Sequence, residues 1–398
     1  MNIVMNQQYL RVFNRYMVFG EIYKNRIMSR GDLQKKTGLT PTAISNIVND
    51  LLEKRLIVEG ENGKSTGGRR PKLLEVNVDD WSILGIDLDP ARLSIGLMDL
   101  KGSLIDLRTK DLKGNDIEYL VEEIKTIVDS IKKDVDRKIL AAGVGIPGWV
   151  CPETNIVTFA PNLGWKGVDI RTRLTEELKL PIYVDNEASV TALGESWAGS
   201  AQNIRNFIAV NFRTGVGSGI VIDSRIYKGV TGSSGEIGHI PVDEDGSICS
   251  CGNYGCLETI ASTPSICRRL YSLLKKGMPS VIKDTFTGKL EDINISMIAE
   301  AARSGDALSI EVLNQVGRYI GLALSIAINL LNPDVIVLGA DAVEYEDIIL
   351  SNVRETIRSK ALFTPVKRCK VVISSLGRAA PIVGAGILGL QSHLTTMV

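Results

Sequence analysis

The chain has 398 residues, 44% of them hydrophobic, and its 46 Lys/Arg are balanced by 46 Asp/Glu. That length accommodates two or three domains with substantial cores, and no apolar run reaches the roughly 18 residues that would span a bilayer. The opening MNIVMNQQYLRVFNRYM has no uninterrupted apolar stretch ending in a small-residue cleavage site, so the sequence predicts a cytoplasmic protein, neither secreted nor membrane-embedded.

The neutral total hides an asymmetry. Residues 1–78 carry 13 Lys/Arg against 7 Asp/Glu, and the remainder carries 33 against 39. A basic head on an acidic body points to a head that meets a polyanion. Within it, residues 12–26 read as a first helix. Ser29-Arg30-Gly31-Asp32 has the form of a capping box and opens a second helix, which Gly38 ends. Thr40 as N-cap and Pro41 at the first helical position start a third, which runs to about Lys54. Ile44, Ile47, Val48, Leu51 and Leu52 share one face of it. Thr42, Ser45, Asn46 and Asn49 lie on the other, small polar groups able to reach base edges. Two helices joined by a glycine turn, the second polar outside, describe a helix-turn-helix. LIVEG, ENGKSTGGRRP and KLLEVN then read as strand, basic turn and strand, a wing whose Lys64, Arg69 and Arg70 suit phosphates or a narrow minor groove. A helical protein-docking module with a charged hairpin is the alternative.

From Trp81 onward strands and helices alternate, which predicts an α/β body of roughly 320 residues, more than one core. Strands are expected at Leu140–Pro147, Ile182–Val184, Phe207–Asn211, Ser218–Ile222 and Asp334–Gly339. The segment HIPVDEDGSICSCGNYGCLE places His239, Cys249, Cys251 and Cys256 within 18 positions. One imidazole and three thiolates form a soft set of four that suits tetrahedral zinc. The spacing is not that of a zinc finger, so the expectation is a structural clip inside a larger domain, one zinc per chain. Reduced thiols without metal are the alternative. Glu236 and Glu258 flank the segment as polar groups that such a clip would hold beside a pocket.

These residues carry a resemblance. SRGDLQKKTGLTPTAISNIVNDLLEKRLI, GGRRPKLLEVN, GVGIPGWV, APNLGWKGVDI, VDNEASVTALGE, TGVGSGIVID, GSSGEIGHI and CSCGNYGCLE occur in the order seen in transcriptional regulators of the ROK family, and the chain most resembles its xylose-repressor and N-acetylglucosamine-repressor-like members. The resemblance implies a winged helix-turn-helix (1–78) and a two-lobed, actin-like, ribonuclease-H-like body (79–398) with a sugar cleft between its lobes. The smaller lobe would cover about 79–197 plus 378–398, and a larger zinc-containing dimerisation lobe about 198–377. It also implies sugar contacts at Asn162, Asn186, Glu187, Glu236, His239 and Glu258, with Gly164-Trp165 as an apolar wall.

Sugar kinases of that family hold ATP phosphates in an Asp-x-Gly-Gly-Thr turn. Here the matching stretch is Asp87-Leu88-Asp89-Pro90-Ala91-Arg92. Both glycines are absent, Asp89 brings negative charge, and Pro90 removes an N–H donor. The second glycine turn, Thr214–Gly219, is intact. The family's catalytic Asp position is Glu187, one methylene longer, in a reaction governed by positioning. The expectation is therefore a protein that is not an enzyme, with no catalytic residue. It would be a cytoplasmic homodimer, or dimer of dimers, on an inverted-repeat operator, and a monosaccharide effector (xylose by resemblance) would alter operator affinity as inducer or corepressor. An ATP-dependent ROK hexokinase with an added DNA-binding head is the competing reading.

Overall fold

The structure is a computed structural model that describes residues 7–62, 71–284 and 288–396. The chain opens with helix α1 (Gln7–Asn25), strand β1 (Met28–Ser29), α2 (Arg30–Thr37), α3 (Pro41–Glu53), β2 (Ile57–Asn62) and β3 (Lys72–Val76), the strands pairing in the order β1-β3-β2. The local chemistry explains these boundaries. Ser29 Oγ accepts the Asp32 N–H while the Asp32 carboxylate takes the Ser29 N–H, closing the capping box. Gly38 stops α2 in the left-handed conformation, and Thr40 caps α3 by accepting from the Ala43 N–H. Phe19, Ile22, Leu33, Ile44, Val48, Leu51, Leu56 and Leu74 form a dry core with at most 1% exposure. Each such side chain contributes about 1.5–3 kcal/mol on burial, so the head is stabilised by packing more than by helix propensity.

Five strands follow: β4 (Trp81–Asp89), β5 (Arg92–Asp99), β6 (Leu104–Asp111), β7 (Lys138–Ile146) and β8 (Trp149–Val150), with α4 (Ile117–Asp134) before β7. Then come β9 (Val157–Ala160), β10 (Trp165–Val168), α5 (Ile170–Leu178) and β11 (Ile182–Asn186). The main sheet here has the order β11-β7-β4-β5-β6, antiparallel through β4–β5–β6 and parallel between β4 and β7. Central β4 is buried along nearly its whole length, as a covered strand requires. Asp116 caps α4, whose Leu120, Ile124, Val128 and Ile131 face inward at helical spacing.

After α6 (Glu187–Trp197) a second five-stranded sheet forms from β12 (Phe207–Phe212), β13 (Val216–Ile222), β14 (Arg225–Tyr227), β15 (Val335–Ala340) and β16 (Lys370–Ile373), in the order β14-β13-β12-β15-β16. The helices of this part are α7 (Glu258–Ala261), α8 (Thr263–Lys275), α9 (Ile295–Arg303), α10 (Ala307–Leu331), α11 (Glu346–Lys360) and α12 (Phe363–Arg368), and α13 (Ala380–Thr396) ends the chain. The 25-residue α10 lies at the centre of a large apolar core with Ile208, Phe212, Leu338 and the fully buried Tyr345.

The chain separates into two compact units. One gathers the residues up to Ile146, Asn155–Asp185 and those from Ala385 on; the other holds Pro147–Thr154 and Asn186–Gly384. These divisions differ from the expected lobes. Helix α6, expected in the smaller lobe, packs on β13 so closely that a Cβ at Gly219 would meet the Ala188 carbonyl at 2.3 Å. Residues 380–384, also expected there, join α6: a Cβ at Gly384 would meet the Val190 carbonyl at 1.6 Å. The helix-turn-helix shares its unit with the β4–β5–β6 sheet, and side chains from both bond across the junction. Trp81 Nε1 donates to the Lys54 carbonyl (3.0 Å) and Tyr23 Oη to the Lys101 carbonyl (3.0 Å). Among the described residues, no helix is long and apolar enough to cross a membrane.

Candidate functional site

In the second unit, the candidate sugar residues gather around the start of β13. Asn186 ends β11 and its Oδ1 caps α6 by accepting the Ala188 and Ser189 N–H groups, while its Nδ2 donates to the Gly148 carbonyl at 2.9 Å. This places Glu187 in the first turn of α6. There the Glu187 carboxylate meets Arg213 Nη1 at 3.1 Å and Asn211 Nδ2 at 3.4 Å, with both partners of the ion pair only about one-sixth exposed. Arg213 has no signal in the sequence, since a single arginine beside a glycine turn makes no motif.

Glu258 opens α7, and its Oε2 accepts the Val216 N–H at 3.0 Å. The turn Thr214–Gly217, which could bind a phosphate through its backbone, therefore has one donor satisfied by an internal carboxylate. The other glycine-poor turn behaves alike. Asp89 pairs with Arg92 across a two-residue turn, and Asp89 Oδ1 accepts the Ala91 N–H at 2.9 Å.

Glu236 and His239 sit on a single 3-10 turn, Ile237–His239. Gly235 makes that turn possible: its φ is +86°, and a Cβ there would lie 2.0 Å from the Ser218 carbonyl. The Gly235 carbonyl accepts from both the N–H and the hydroxyl of Ser218, so the turn is fastened to β13. Glu236 accepts a 2.7 Å hydrogen bond from Trp149 Nε1. Trp149 was not anticipated, whereas Trp165, expected as an apolar wall, is a core residue of the first unit. It is 5% exposed, with its Nε1 donating to the Asn115 carbonyl. Asn162 also lies in the first unit, exposed on the 3-10 turn Pro161–Leu163, where its carbonyl accepts from Asn115.

The thiols converge as their spacing suggests. The ligand atoms of His239, Cys249, Cys251 and Cys256 lie within 4.8 Å of one another. His239 Nδ1 is 3.5 Å from Cys249 Sγ, and the sulfurs of Cys251 and Cys256 are 3.7 Å apart. A tetrahedral zinc with bonds of roughly 2.0–2.3 Å has ligand–ligand edges of about 3.3–3.8 Å, so the donor set and these two pairs fit, and the set as a whole, spread over up to 4.8 Å, would draw in around the ion. Gly255 permits the final reversal: its φ is +62°, and a Cβ would overlap the Asp243 carbonyl at 1.6 Å. Burial pushes the Cys256 thiol up to about 12, while a backbone hydrogen bond from Asn253 lowers that of Cys251. A dication at their centre would hold both as thiolates.

In the head, Thr42, Asn46 and Asn49 are exposed on α3 and Ser45 is half-buried; the Thr40 hydroxyl is engaged as the cap. Lys64, Arg69 and Arg70 lie outside the described residues. Arg30, unremarked in the sequence, reaches from α2 to Asn49 Oδ1 at 3.0 Å and puts a cation beside the outer face of α3.

The family model described as ROK family matches residues 83–392. The chain is 33% identical over 396 residues to the xylose repressor of Caldicellulosiruptor bescii, covering 98% of each. Its structure is similar to that of a ROK family transcriptional regulator, a homolog of the E. coli MLC protein (TM-score 0.84, 29% identity, 97% of each chain). It is also similar to a ROK family glucokinase from Streptomyces griseus in complex with glucose and AMPPNP, at TM-score 0.71 and 26% identity, over 78% of this chain and 99% of that one.

Proposed function

The chain belongs to the ROK family, and on that premise we propose that it is a sugar-responsive transcriptional repressor of a carbohydrate-utilisation operon, with xylose as effector. The observation that carries this is a capped helix-turn-helix pair, its polar face exposed, on the same chain as a carboxylate-rich ROK body that matches a xylose repressor end to end. Thr42, Ser45, Asn46 and Asn49 read base edges. Thr40, Lys64, Arg69 and Arg70 contact the backbone or minor groove. A single winged helix binds with limited specificity, so a homodimer, or dimer of dimers, on an inverted repeat is expected in the cytoplasm.

Asn186, Glu187, Glu236, His239 and Glu258 of the second unit bind the sugar; Asn162, the other residue the resemblance implies, lies in the first unit. Carboxylates and carboxamides suit vicinal hydroxyls, which both donate and accept. His239 Nδ1, Cys249, Cys251 and Cys256 would hold one zinc per chain, a structural cross-link with no open coordination position. With Nδ1 on the sulfur side, His239 Nε2 is the nitrogen left for the sugar.

The body does not transfer phosphate. Asp89 and Glu258 already occupy backbone donors of the two turns, and each would repel a phosphate. Glu187, in the base position, is held by Arg213. The likeness to the glucokinase keeps the kinase reading in view, and one pair of assays decides. Operator binding by the full chain is measured with and without xylose, alongside ATP-coupled turnover on common pentoses and hexoses. A sugar-dependent change in operator affinity without turnover is expected; robust turnover, or an operator affinity indifferent to every sugar, overturns the proposal.

A further inference from the structure

We infer that Trp149 is the aromatic platform of the sugar site, that its indole N–H orients the Glu236 carboxylate, and that the site consequently prefers pyranoses whose hydroxyls are all equatorial. The inference deepens the sugar-responsive reading and rests on it.

The chain has four tryptophans. Trp165 and Trp197 are buried at 5% and 7% exposure, and Trp81 spends its N–H on the head. Trp149 alone of the four counts among the exposed large hydrophobics, at 39%. An exposed indole is ordinarily mobile, yet this one is fixed from two sides. The carbonyl of its neighbour Gly148 is held by Asn186 at the head of α6, one residue from Glu187. Its ring nitrogen is held by Glu236 at 2.7 Å, on the 3-10 turn that ends at His239. The backbone tether runs to one proposed sugar ligand and the ring tether to another, so a fixed apolar face stands among the polar groups that would read hydroxyls. Small-molecule sites have this composition, an aromatic wall with a few placed polar groups.

The donated hydrogen bond does two things. It ties down one carboxylate oxygen of Glu236, which leaves Oε2 as the acceptor for a sugar hydroxyl. It also fixes the plane of the ring. A pyranose with only equatorial hydroxyls presents axial C–H bonds to such a plane. An axial hydroxyl facing the ring would exchange water for carbon and go unpaired, which costs binding free energy. D-xylose and D-glucose meet this requirement, and their C4 epimers L-arabinose and D-galactose do not.

The test uses the full chain, calorimetric titration of these four sugars, and acrylamide quenching of tryptophan fluorescence. Wild type is expected to bind an all-equatorial sugar at least about tenfold more tightly than its C4 epimer, and saturating sugar is expected to reduce quenching. Trp149→Phe keeps a ring but loses the N–H, so it should retain epimer selectivity while losing affinity about three- to tenfold. Trp149→Ala should lose both affinity and selectivity with thermal unfolding unchanged. If the alanine variant fails to fold, the phenylalanine variant and the quenching decide. Trp149→Ala with wild-type affinity and epimer ratio, or quenching indifferent to saturating sugar, overturns this inference alone. Wild type that binds none of the four sugars overturns the sugar-responsive reading and this inference with it.

Discussion

Tyr23 Oη donates a 3.0 Å hydrogen bond to the carbonyl of Lys101, fastening the first helix of the DNA-binding head to the turn between β5 and β6. With the Trp81–Lys54 bond at the start of β4, it makes the head an extension of the first-unit sheet. A rearrangement that reached that sheet would be carried to the head through these two bonds. The double variant Tyr23→Phe/Trp81→Phe should keep operator affinity and sugar affinity near wild type when each is measured alone. The sugar-induced change in operator affinity should shrink several-fold, since each bond contributes about 0.5–1.5 kcal/mol. An unchanged induction ratio would show that the head takes its signal by another route.

Metal analysis of the purified chain should return about one zinc per chain. Cys251→Ser removes a ligand near the Cys256 sulfur and should lose both metal and repression. Chelation should likewise loosen the 239–258 segment, detected as faster proteolysis there. A metal-free chain with normal operator binding and normal sugar response would contradict the structural zinc.

Two head variants should behave differently. Asn46→Ala removes an exposed amide from the recognition helix and should cost about 1–3 kcal/mol on the cognate operator, relaxing preference at one base pair. Arg30→Ala removes a cation beside that helix, so it should weaken cognate and random DNA alike and reduce the salt slope by about 1. Competition binding at several salt concentrations separates the two. Equal losses of specificity in both variants would refute the assignment.

Burial raises the Glu195 carboxyl above its ordinary value of 4.5, against the opposing hydrogen bonds from Ser374 and the Ser200 N–H. A carboxyl with a raised folded-state value binds its proton more tightly when folded. Its contribution to stability therefore falls as pH rises from near 4.5 through that raised value, and is flat above it. Glu195→Gln should lack this decline, so the stability difference between variant and wild type should shift in the variant's favour across that window. Denaturant titrations at several pH values check it; parallel profiles would exclude Glu195 as the source.

Legibility followed the range of the interactions. The capping box at Ser29–Asp32, the Gly38 stop and the Thr40-Pro41 restart were readable because each is settled within four residues. The His239–Cys256 ligand set was readable because unusual residue types crowd a short segment. Trp165, expected as an apolar wall, is a core residue, and the exposed Trp149 carries no expectation of its own. Both follow glycine turns, and nothing in either turn says which indole points into a core.

By itself the sequence determined the head's helices, the alternating α/β body and the soft ligand set, since propensity, capping and ligand chemistry act over neighbouring residues. Only the tertiary structure decided that Arg213 neutralises Glu187, that Glu258 and Asp89 satisfy the glycine-turn donors themselves, and that α6 belongs with β13. Arg213 and Glu187, Glu258 and Val216, and Trp149 and Glu236 are separated by 26 to 87 positions, far beyond any local periodicity. Their meeting follows from how the second unit's own elements pack around β12 and β13, and a contact made by packing leaves no trace in the spacing of residues along the chain.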